Sequence, residues 1–200
     1  MTITTRWLWD YLTLTITLSG VVVLALIGVL ALGGNSPRPA RSPDFEAPSL
    51  PCSVDAEADV ASVSLLDHPE DDFTFEIIAT PVGSPESGVY GLTYRAQDAR
   101  HCYVFAVGAD GYYTVVRLDG EDVMPLVAWQ QFPHIRRGGE SNRLLVTCSG
   151  PSCIFRINDE YATTVEDETW LSGDVGLWAG GLDEATVVEF LAARLWASDG

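Results

Sequence analysis

Hydrophobic and polar residues alternate through the middle of the chain with the period of two that is typical of β-strands. The pattern predicts three consecutive antiparallel strands, over residues 89–96, 102–107 and 112–118. In the first strand we expect Tyr94 to face the core and Arg95 to face the opposite, exposed side. An Asp-Gly pair before the third strand is typical of a hairpin turn. These strands are predicted to form the centre of an antiparallel sheet.

Further strands follow at short spacing on both sides of this block. They are predicted over residues 73–77, 123–129, 142–148, 153–157, 161–165, 173–179 and 186–196. The last segment also fits a helix, but its β-branched and aromatic residues favour a strand. About ten short strands without a soluble helix are typical of an all-β sandwich.

A long uncharged segment precedes the strands. Residues 12–32 are rich in Leu, Val, Ile and Thr. A helix that rises about 1.5 Å per residue would carry them across the roughly 30 Å hydrocarbon core of a bilayer. The alternative is a cleaved signal peptide, because Ala31-Leu32-Gly33 resembles a cleavage site, but the apolar stretch of such a peptide is usually only about 7–15 residues long. We therefore predict an uncleaved, single-pass transmembrane helix.

The sequence is accordingly divided into four parts. Residues 1–11 are a short N-terminal segment, 12–32 the transmembrane helix, 33–59 a tether rich in proline and glycine, and 60–200 the β-sandwich domain. Within the predicted tether, three alternating carboxylates at residues 55–59 fit a solvated edge strand, with calcium binding or paired-acid catalysis as the alternatives.

The charge balance excludes one class of partner. The chain has 28 acidic residues against 11 basic ones, a net charge of −17, and every basic residue is an arginine. Nucleic-acid binding needs a basic surface that displaces counterions, so no nucleic-acid partner is expected.

Four cysteines indicate the compartment. Cys148 and Cys153 bracket a four-residue turn between two predicted strands, where they can lie directly opposite each other and form a disulfide. Cys52 and Cys102 then remain and are predicted to form a second disulfide. The alternative, a zinc site, lacks a Cys-x-x-Cys motif and a nearby histidine. Two disulfides suit an oxidising compartment, so we place the bulk of the chain outside the cytoplasm.

Several stretches resemble a known family. The resemblance covers about residues 72–196 and is carried by Tyr94–Asp98, Asn142–Leu144, Phe155–Asp159 and Gly173–Leu177. These stretches are similar to laminin-G-like or concanavalin-like jelly rolls, especially to bacterial domains related to 3-keto-disaccharide hydrolases. The resemblance implies two curved antiparallel sheets, of which the concave one is often a ligand surface. This fold hosts lectin-like modules, glycosidases and inert interaction domains, so it does not determine the activity.

Motifs for catalysis are not found in the sequence. There is no Gly-x-Ser-x-Gly, no His-Glu-x-x-His and no glycine-rich phosphate loop. The three histidines, His68, His101 and His134, lie in predicted loops or strand ends without a neighbouring nucleophile. No cofactor is predicted, although the acidic turn at 119–122 leaves calcium as an alternative.

The central strands supply the candidate binding residues. Aromatic rings combined with guanidinium and amide groups suit a sugar ring or a protein partner. The predicted ligand-binding residues are Arg95, Gln97, Tyr113, Arg117 and Trp129. Arg95 is expected in a concave groove, with Tyr113 and Trp129 as its aromatic partners. The alternative is that alternate members belong to the core and that Arg95 ties neighbouring strands together through hydrogen bonds.

The sequence therefore predicts a single-pass, extracytoplasmic, non-enzymatic recognition domain at the cell membrane that binds a glycan or a protein. One alternative is an accessory subunit of a larger membrane complex, whose sandwich packs on partner subunits. Its helix would pack on other helices, since Gly20 and Gly28 allow close approach. A glycosidase-like enzyme is the third interpretation.

Overall fold

The computed structural model describes residues 37–82, 88–181 and 184–198, together with Thr15, Thr17 and Ser19. Within these residues it contains thirteen β-strands in two sheets. The strands are β1 (Phe45–Glu46), β2 (Cys52–Ala56), β3 (Ala61–Leu65), β4 (Phe73–Val82), β5 (Gly88–Ala96), β6 (His101–Gly108), β7 (Tyr112–Asp119), β8 (Asp122–Gln131), β9 (Asn142–Ser149), β10 (Ser152–Ile157), β11 (Glu160–Glu166), β12 (Asp174–Gly181) and β13 (Thr186–Ala197). The predicted all-β sandwich is confirmed, including the final segment as a strand.

The two sheets are built from strands that are distant in sequence. Sheet A has the order β1–β13–β4–β9–β10–β11, and β2 also pairs with β13. Sheet B has the order β3–β12–β5–β6–β7–β8. All of these strand pairs are antiparallel. The chain crosses between the sheets four times from β4 onward, so each sheet depends on pairings made across the whole domain.

The main core lies between the two sheets and follows from the alternation in the sequence. Tyr90, Leu92 and Tyr94 of β5 point inward, each at most 2% exposed. Aromatic rings join the sheets, because Phe105 of sheet B lies 4.9 Å from Phe155 of sheet A, centroid to centroid. Each large apolar side chain buried in this way stabilises the fold by roughly 1.5–3 kcal/mol.

A second, smaller apolar cluster occupies the other face of sheet B. Its buried members are Val89, Ala96, Cys102, Val104 and Ala106, with exposures of 5% or less. Strand β6 therefore buries residues on both of its faces, as its continuous apolar sequence predicts.

The predicted disulfide between Cys148 and Cys153 is confirmed. The two residues are direct partners in the β9–β10 hairpin, with their Cα atoms 4.1 Å apart. The predicted second disulfide is wrong, since Cys52 and Cys102 are free thiols. Cys52 lies on β2 in sheet A, whereas Cys102 is buried on β6 in sheet B, among the residues of the second cluster. The sandwich itself separates them.

One compact unit of the chain extends over Arg41–Gly200. Both β1 and β2 lie within residues 33–59, which the sequence assigns to a tether, and both pair with β13. The sandwich thus begins before residue 60. Its first strands are short and paired at a sheet edge, so their apolar content is too low to reveal them in the sequence.

The predicted transmembrane helix over 12–32 and the N-terminal segment 1–11 lie outside the described residues, except for Thr15, Thr17 and Ser19. These three residues are helical and exposed. In the part of the chain that the structure describes, no helix has both the length and the apolar character needed to cross a membrane.

Candidate functional site

Three of the five predicted ligand-binding residues converge on one segment. This segment is the connection 167–173 between β11 and β12, and it receives hydrogen bonds from Arg95, Gln97 and Arg117. The other two predicted residues, Tyr113 and Trp129, lie on β7 and β8.

Arg95 is buried, so the expectation that it lines an exposed groove is wrong. Its side chain is 1% exposed, and Nη2 donates to the carbonyl oxygens of Gly150 at 2.6 Å and Asp71 at 3.0 Å. The cause is a β-bulge: β5 has one residue more between Thr93 and Ala96 than the paired stretch of β12. Arg95 is the extra residue of this bulge. Its backbone φ is 49°, and this conformation turns its side chain inward. Its hydrogen bonds are structural, as in the alternative interpretation, but their acceptors lie in the connections beside the strands and not in neighbouring strands.

Gln97 and Arg117 also serve to hold the 167–173 connection. Nε2 of Gln97 donates to Ser172 O at 2.7 Å, and Nη1 of Arg117 donates to Asp167 Oδ2 at 2.7 Å. The hydroxyl of Tyr103 donates to the other oxygen of Asp167 at 2.6 Å. Both oxygens of this carboxylate are therefore occupied by protein donors.

The protonation of Asp167 argues against a catalytic acid at this point. Burial alone would raise the pKa of Asp167, but hydrogen bonds from Thr169 and Tyr103 and the charge of Arg117 outweigh it and lower the pKa below its ordinary value. A general acid in glycoside hydrolysis needs a raised pKa. This network fits an anchor for the connection.

Tyr113 and Trp129 differ in their exposure. Tyr113 is a core residue, 2% exposed, whose hydroxyl donates to Ala162 O at 3.2 Å and accepts from Gln130 at 2.7 Å. The expectation that its ring pairs with Arg95 in a ligand groove is wrong, because the neighbouring Tyr112, 39% exposed, takes the outward position. Trp129 is 47% exposed on β8, the edge strand of sheet B, as a binding residue requires.

A polar pocket that the sequence analysis did not predict lies on the outer face of sheet A. Its volume is about 190 Å³, compared with the roughly 10–15 Å³ that one water molecule needs on the same measure. It therefore has room for a ligand of the size of a ring. Its lining residues are Ile78, Arg136, Ser141, Arg143, Asn158 and Asp159. A second cavity, lined by Tyr94, Arg95 and Tyr103 among others, is only about 10 Å³ and fits about one water.

The sheet supplies one side of the pocket and a tight turn supplies the other. Ile78 of β4 and Arg143 of β9 are direct partners and point away from the core. Asn158 and Asp159 form the turn between β10 and β11, with φ values of 53° and 73°. Asn and Asp tolerate this left-handed conformation better than other side chains. The Oδ1 atom of Asn158 accepts from the Arg143 backbone amide at 3.0 Å and fixes the turn against β9.

The third wall of the pocket is a loop held by a buried asparagine. Asn142 is fully buried, and its Oδ1 atom accepts from the Arg136 backbone amide at 2.8 Å. Its Nδ2 atom donates to Arg136 O at 2.8 Å and to the hydroxyl of Tyr90 at 2.7 Å. Thr80 donates to Gly139 O at 2.9 Å on the same loop. The backbone that carries Arg136 is therefore fixed before any ligand binds.

Charged groups in the pocket are only partly neutralised. Arg143 Nη1 lies 2.7 Å from Asp159 Oδ2, and Arg143 Nε lies 3.5 Å from the buried carboxylate of Glu76. Glu76 also binds Arg194 at 3.0 Å. The Arg136 guanidinium donates to the Ser141 carbonyl at 3.3 Å and, among the described residues, has no carboxylate within ion-pair distance. Arginine donors beside a carboxylate acceptor suit a ligand with several hydroxyl groups.

One signal for this pocket is visible in the sequence. Four of the eleven arginines, at 136, 137, 143 and 156, fall within one stretch of 21 residues, although the chain as a whole is strongly acidic.

Among the described residues, no group of three His, Cys, Asp or Glu side chains is arranged to hold a metal ion.

Comparisons with known proteins show the fold. Neither a protein-family model nor a curated protein sequence matches the chain. Among solved structures it is similar to the carbohydrate binding module CBM66 from Bacillus subtilis, with a TM-score of 0.58 and 20% identity over 70% of this chain and 85% of that one.

Two larger proteins contain a similar domain. The GH43 BlXynB protein from Bacillus licheniformis has a TM-score of 0.54 and 14% identity over 73% of this chain and 32% of that one. The protein titled Bacteroides ovatus xyloglucan PUL GH43B has a TM-score of 0.54 and 13% identity with the same coverage. The chain thus spans about a third of the length of these two proteins. At such identities the likeness shows that the chain is a two-sheet jelly-roll sandwich, the fold implied by its resemblance to concanavalin-like domains.

Proposed function

We propose that this chain is a non-enzymatic glycan-binding module, held outside the cytoplasm by a single-pass N-terminal helix, and that the sheet A pocket is its sugar site. The observation that carries the proposal is a ring-sized pocket in which two guanidinium groups and one carboxylate surround an apolar floor. Its likeness in fold to a carbohydrate binding module supports the same class of ligand.

The pocket contains the groups that a sugar needs. Of two neighbouring sugar hydroxyls, one can accept a hydrogen bond from the Arg143 guanidinium and the other can donate one to the Asp159 carboxylate. Both hydrogen bonds are strong because each has one charged partner. The aliphatic side chain of Ile78 offers contact to the apolar face of the ring. The pocket is open to solvent, so it can take a sugar at the end of a longer chain.

Binding without hydrolysis is the better interpretation of this pocket. Canonical glycoside hydrolysis uses two carboxyl groups, about 5–9.5 Å apart. Among the described residues that line the pocket, Asp159 alone carries a carboxylate. Asp167, at the other cluster, is held ionised by its donors.

The proposed location rests on sequence and disulfide chemistry. Residues 12–32 have the length and composition of a membrane anchor. The Cys148–Cys153 disulfide suits an oxidising environment outside the cytoplasm.

A protein partner is the second candidate, and edge strand β8 favours it. Val123, Met124 and Trp129 are 64%, 49% and 47% exposed on this strand. An edge strand with large exposed apolar side chains is typical of a surface that pairs with another chain. This surface is also where an accessory role in a membrane complex would place its contact.

The test is binding of the full-length protein, in mild detergent, to a panel of neutral and acidic immobilised glycans, followed by calorimetric titration of the best binder. We expect Asp159→Asn to weaken binding about tenfold or more, because one charged hydrogen bond is worth about 1.5–3 kcal/mol. Asparagine keeps the left-handed turn, so the fold is retained. The matched control is Glu160→Gln, because Glu160 is the exposed residue next to Asp159 and does not line the pocket. Binding that is unchanged in Asp159→Asn, or no binding to any glycan, would overturn the proposal.

A further inference from the structure

We infer that the pocket recognises a sugar that carries a carboxylate, a uronate or a related acidic sugar, and that Arg136 is the residue that binds this carboxylate. The inference rests on the proposed glycan site and names the class of sugar that it takes. It starts from the charges of the lining, where, in the part of the chain that the structure describes, two guanidinium groups face one carboxylate.

The two arginines of the pocket are not equivalent. Arg143 is already paired with Asp159 at 2.7 Å and with Glu76 at 3.5 Å. Arg136 spends one donor on a carbonyl oxygen, that of Ser141, and within the described residues no ion pair involves it. A guanidinium has five N–H donors in a planar fork that matches a carboxylate with two parallel hydrogen bonds. Arg136 is therefore the arginine that can pair with the carboxylate of a ligand, whereas the charge of Arg143 is already balanced by carboxylates of the protein.

The backbone holds Arg136 in place for this role. Its amide and carbonyl are both bound by the fully buried side chain of Asn142, at 2.8 Å each. A charged side chain needed only for solubility does not require its backbone to be fixed to the core. Fixing the backbone reduces the entropy that is lost when a ligand is bound.

The neighbouring arginine points elsewhere. The guanidinium of Arg137 lies against Gly111 in the β6–β7 turn, so close that a Cβ atom added at Gly111 would come within 2.6 Å of its Nε. Arg136 and Arg137 are adjacent and both exposed, yet only Arg136 lines the pocket. The chain thus provides its own matched control.

The net charge of −17 opposes anionic ligands at long range. At physiological ionic strength, however, exposed charges are largely screened beyond about 8 Å. Local pairing with Arg136 can therefore dominate once the sugar is inside the pocket. The same screening predicts that binding of the acidic sugar weakens as salt is added.

The experiment uses oligosaccharides of glucuronate, galacturonate and mannuronate, each compared with its carboxyl-reduced form, titrated into the full-length protein in mild detergent. We expect at least one uronate to bind about tenfold more tightly than its reduced partner, a difference of about 1.4 kcal/mol. Arg136→Gln should abolish this preference, Arg136→Lys should keep part of it, and Arg137→Gln should leave it unchanged. Higher salt should reduce it.

The outcomes separate the two proposals. If carboxyl-reduced and acidic forms bind equally well, or if only neutral glycans bind and Asp159→Asn weakens them, the inference is overturned while the glycan site stands. A preference for uronates that survives Arg136→Gln also overturns it. If no glycan of either kind binds, the proposed function and this inference are both overturned.

Discussion

The side-chain amide of Asn142 in sheet A donates a 2.7 Å hydrogen bond to the hydroxyl of Tyr90 in sheet B, and both residues are fully buried. The side-chain amide of Asn142 also accepts a hydrogen bond from the Arg136 backbone N–H and donates one to the Arg136 carbonyl oxygen. One buried polar contact therefore joins the two sheets and also positions a wall of the candidate sugar pocket.

We expect Asn142→Ala to lower the free energy of unfolding by about 2–4 kcal/mol, because the Tyr90 hydroxyl and the Arg136 amide would lose buried partners. Tyr90→Phe removes one of these contacts and should cost about 1 kcal/mol. Urea unfolding measures both. A loss of less than about 1 kcal/mol in Asn142→Ala would show that the network is dispensable.

Tyr90 should make stability depend on alkaline pH. Burial raises the pKa of Tyr90 to about 12, although the hydrogen bond with Asn142 acts in the opposite direction. The ordinary pKa of tyrosine is about 10. Below about pH 10 the Tyr90 hydroxyl is protonated in both the folded and the unfolded state, and its full contribution to the free energy of unfolding is present. As the pH rises towards 12, the unfolded state loses the proton first and stability falls, by on the order of 2 kcal/mol.

Burial also raises the pKa of Tyr94, Tyr103 and Tyr113, so the measurement must be a difference. Unfolding of the wild type and of Tyr90→Phe should be compared at pH 8, 10 and 11. The gap between them should narrow as the pH rises. A constant gap would contradict the assignment to Tyr90.

The cysteines give a test of compartment and fold together. Alkylation of the unfolded, unreduced protein should label Cys52 and Cys102 and leave Cys148 and Cys153 linked in one peptide. Replacing both members of the disulfide by serine should cost on the order of 2 kcal/mol, the chain-entropy value for so small a loop. Labelling at all four positions in protein isolated without reducing agent from its native source would remove the argument for an oxidising compartment.

Arg95→Met should destabilise the protein by about 2–4 kcal/mol. The carbonyl oxygens of Gly150 and Asp71 would lose their donor, and a well-packed side chain would be replaced. Arg100→Met, on the exposed turn after β5, should stay within about 0.5 kcal/mol. Thermal unfolding of the two variants compares a buried tie with a surface arginine, and equal melting temperatures would be inconsistent with the buried role.

Trp129→Ala separates the two candidate surfaces. Because Trp129 is 47% exposed, its loss should cost less than about 1 kcal/mol of stability. The sheet A pocket predicts that glycan binding stays within about twofold of wild type. If binding falls tenfold or more in a variant that melts normally, the ligand lies on edge strand β8, as the sequence first indicated for Trp129.

Much of the sandwich was determined by local sequence. Alternation placed Tyr90 and Tyr94 in the core, and the spacing of Cys148 and Cys153 around a turn set them opposite each other, because both features depend only on neighbouring residues. The same logic failed at Arg95. A bulge is created by the register between β5 and β12, strands that are distant in sequence, and one extra residue reverses the side of a side chain.

The pocket and the thiols were decided by the tertiary structure alone. Ile78, Arg136, Arg143 and Asp159 meet because β4 pairs with β9 and the β10–β11 turn folds back beside them. Cys52 and Cys102 remain apart because their strands belong to different sheets. Local periodicity determines which side of a strand a residue faces, but the pairing of distant strands determines which residues lie beside it. A binding site combines residues that are distant in sequence, so the tertiary structure decides it.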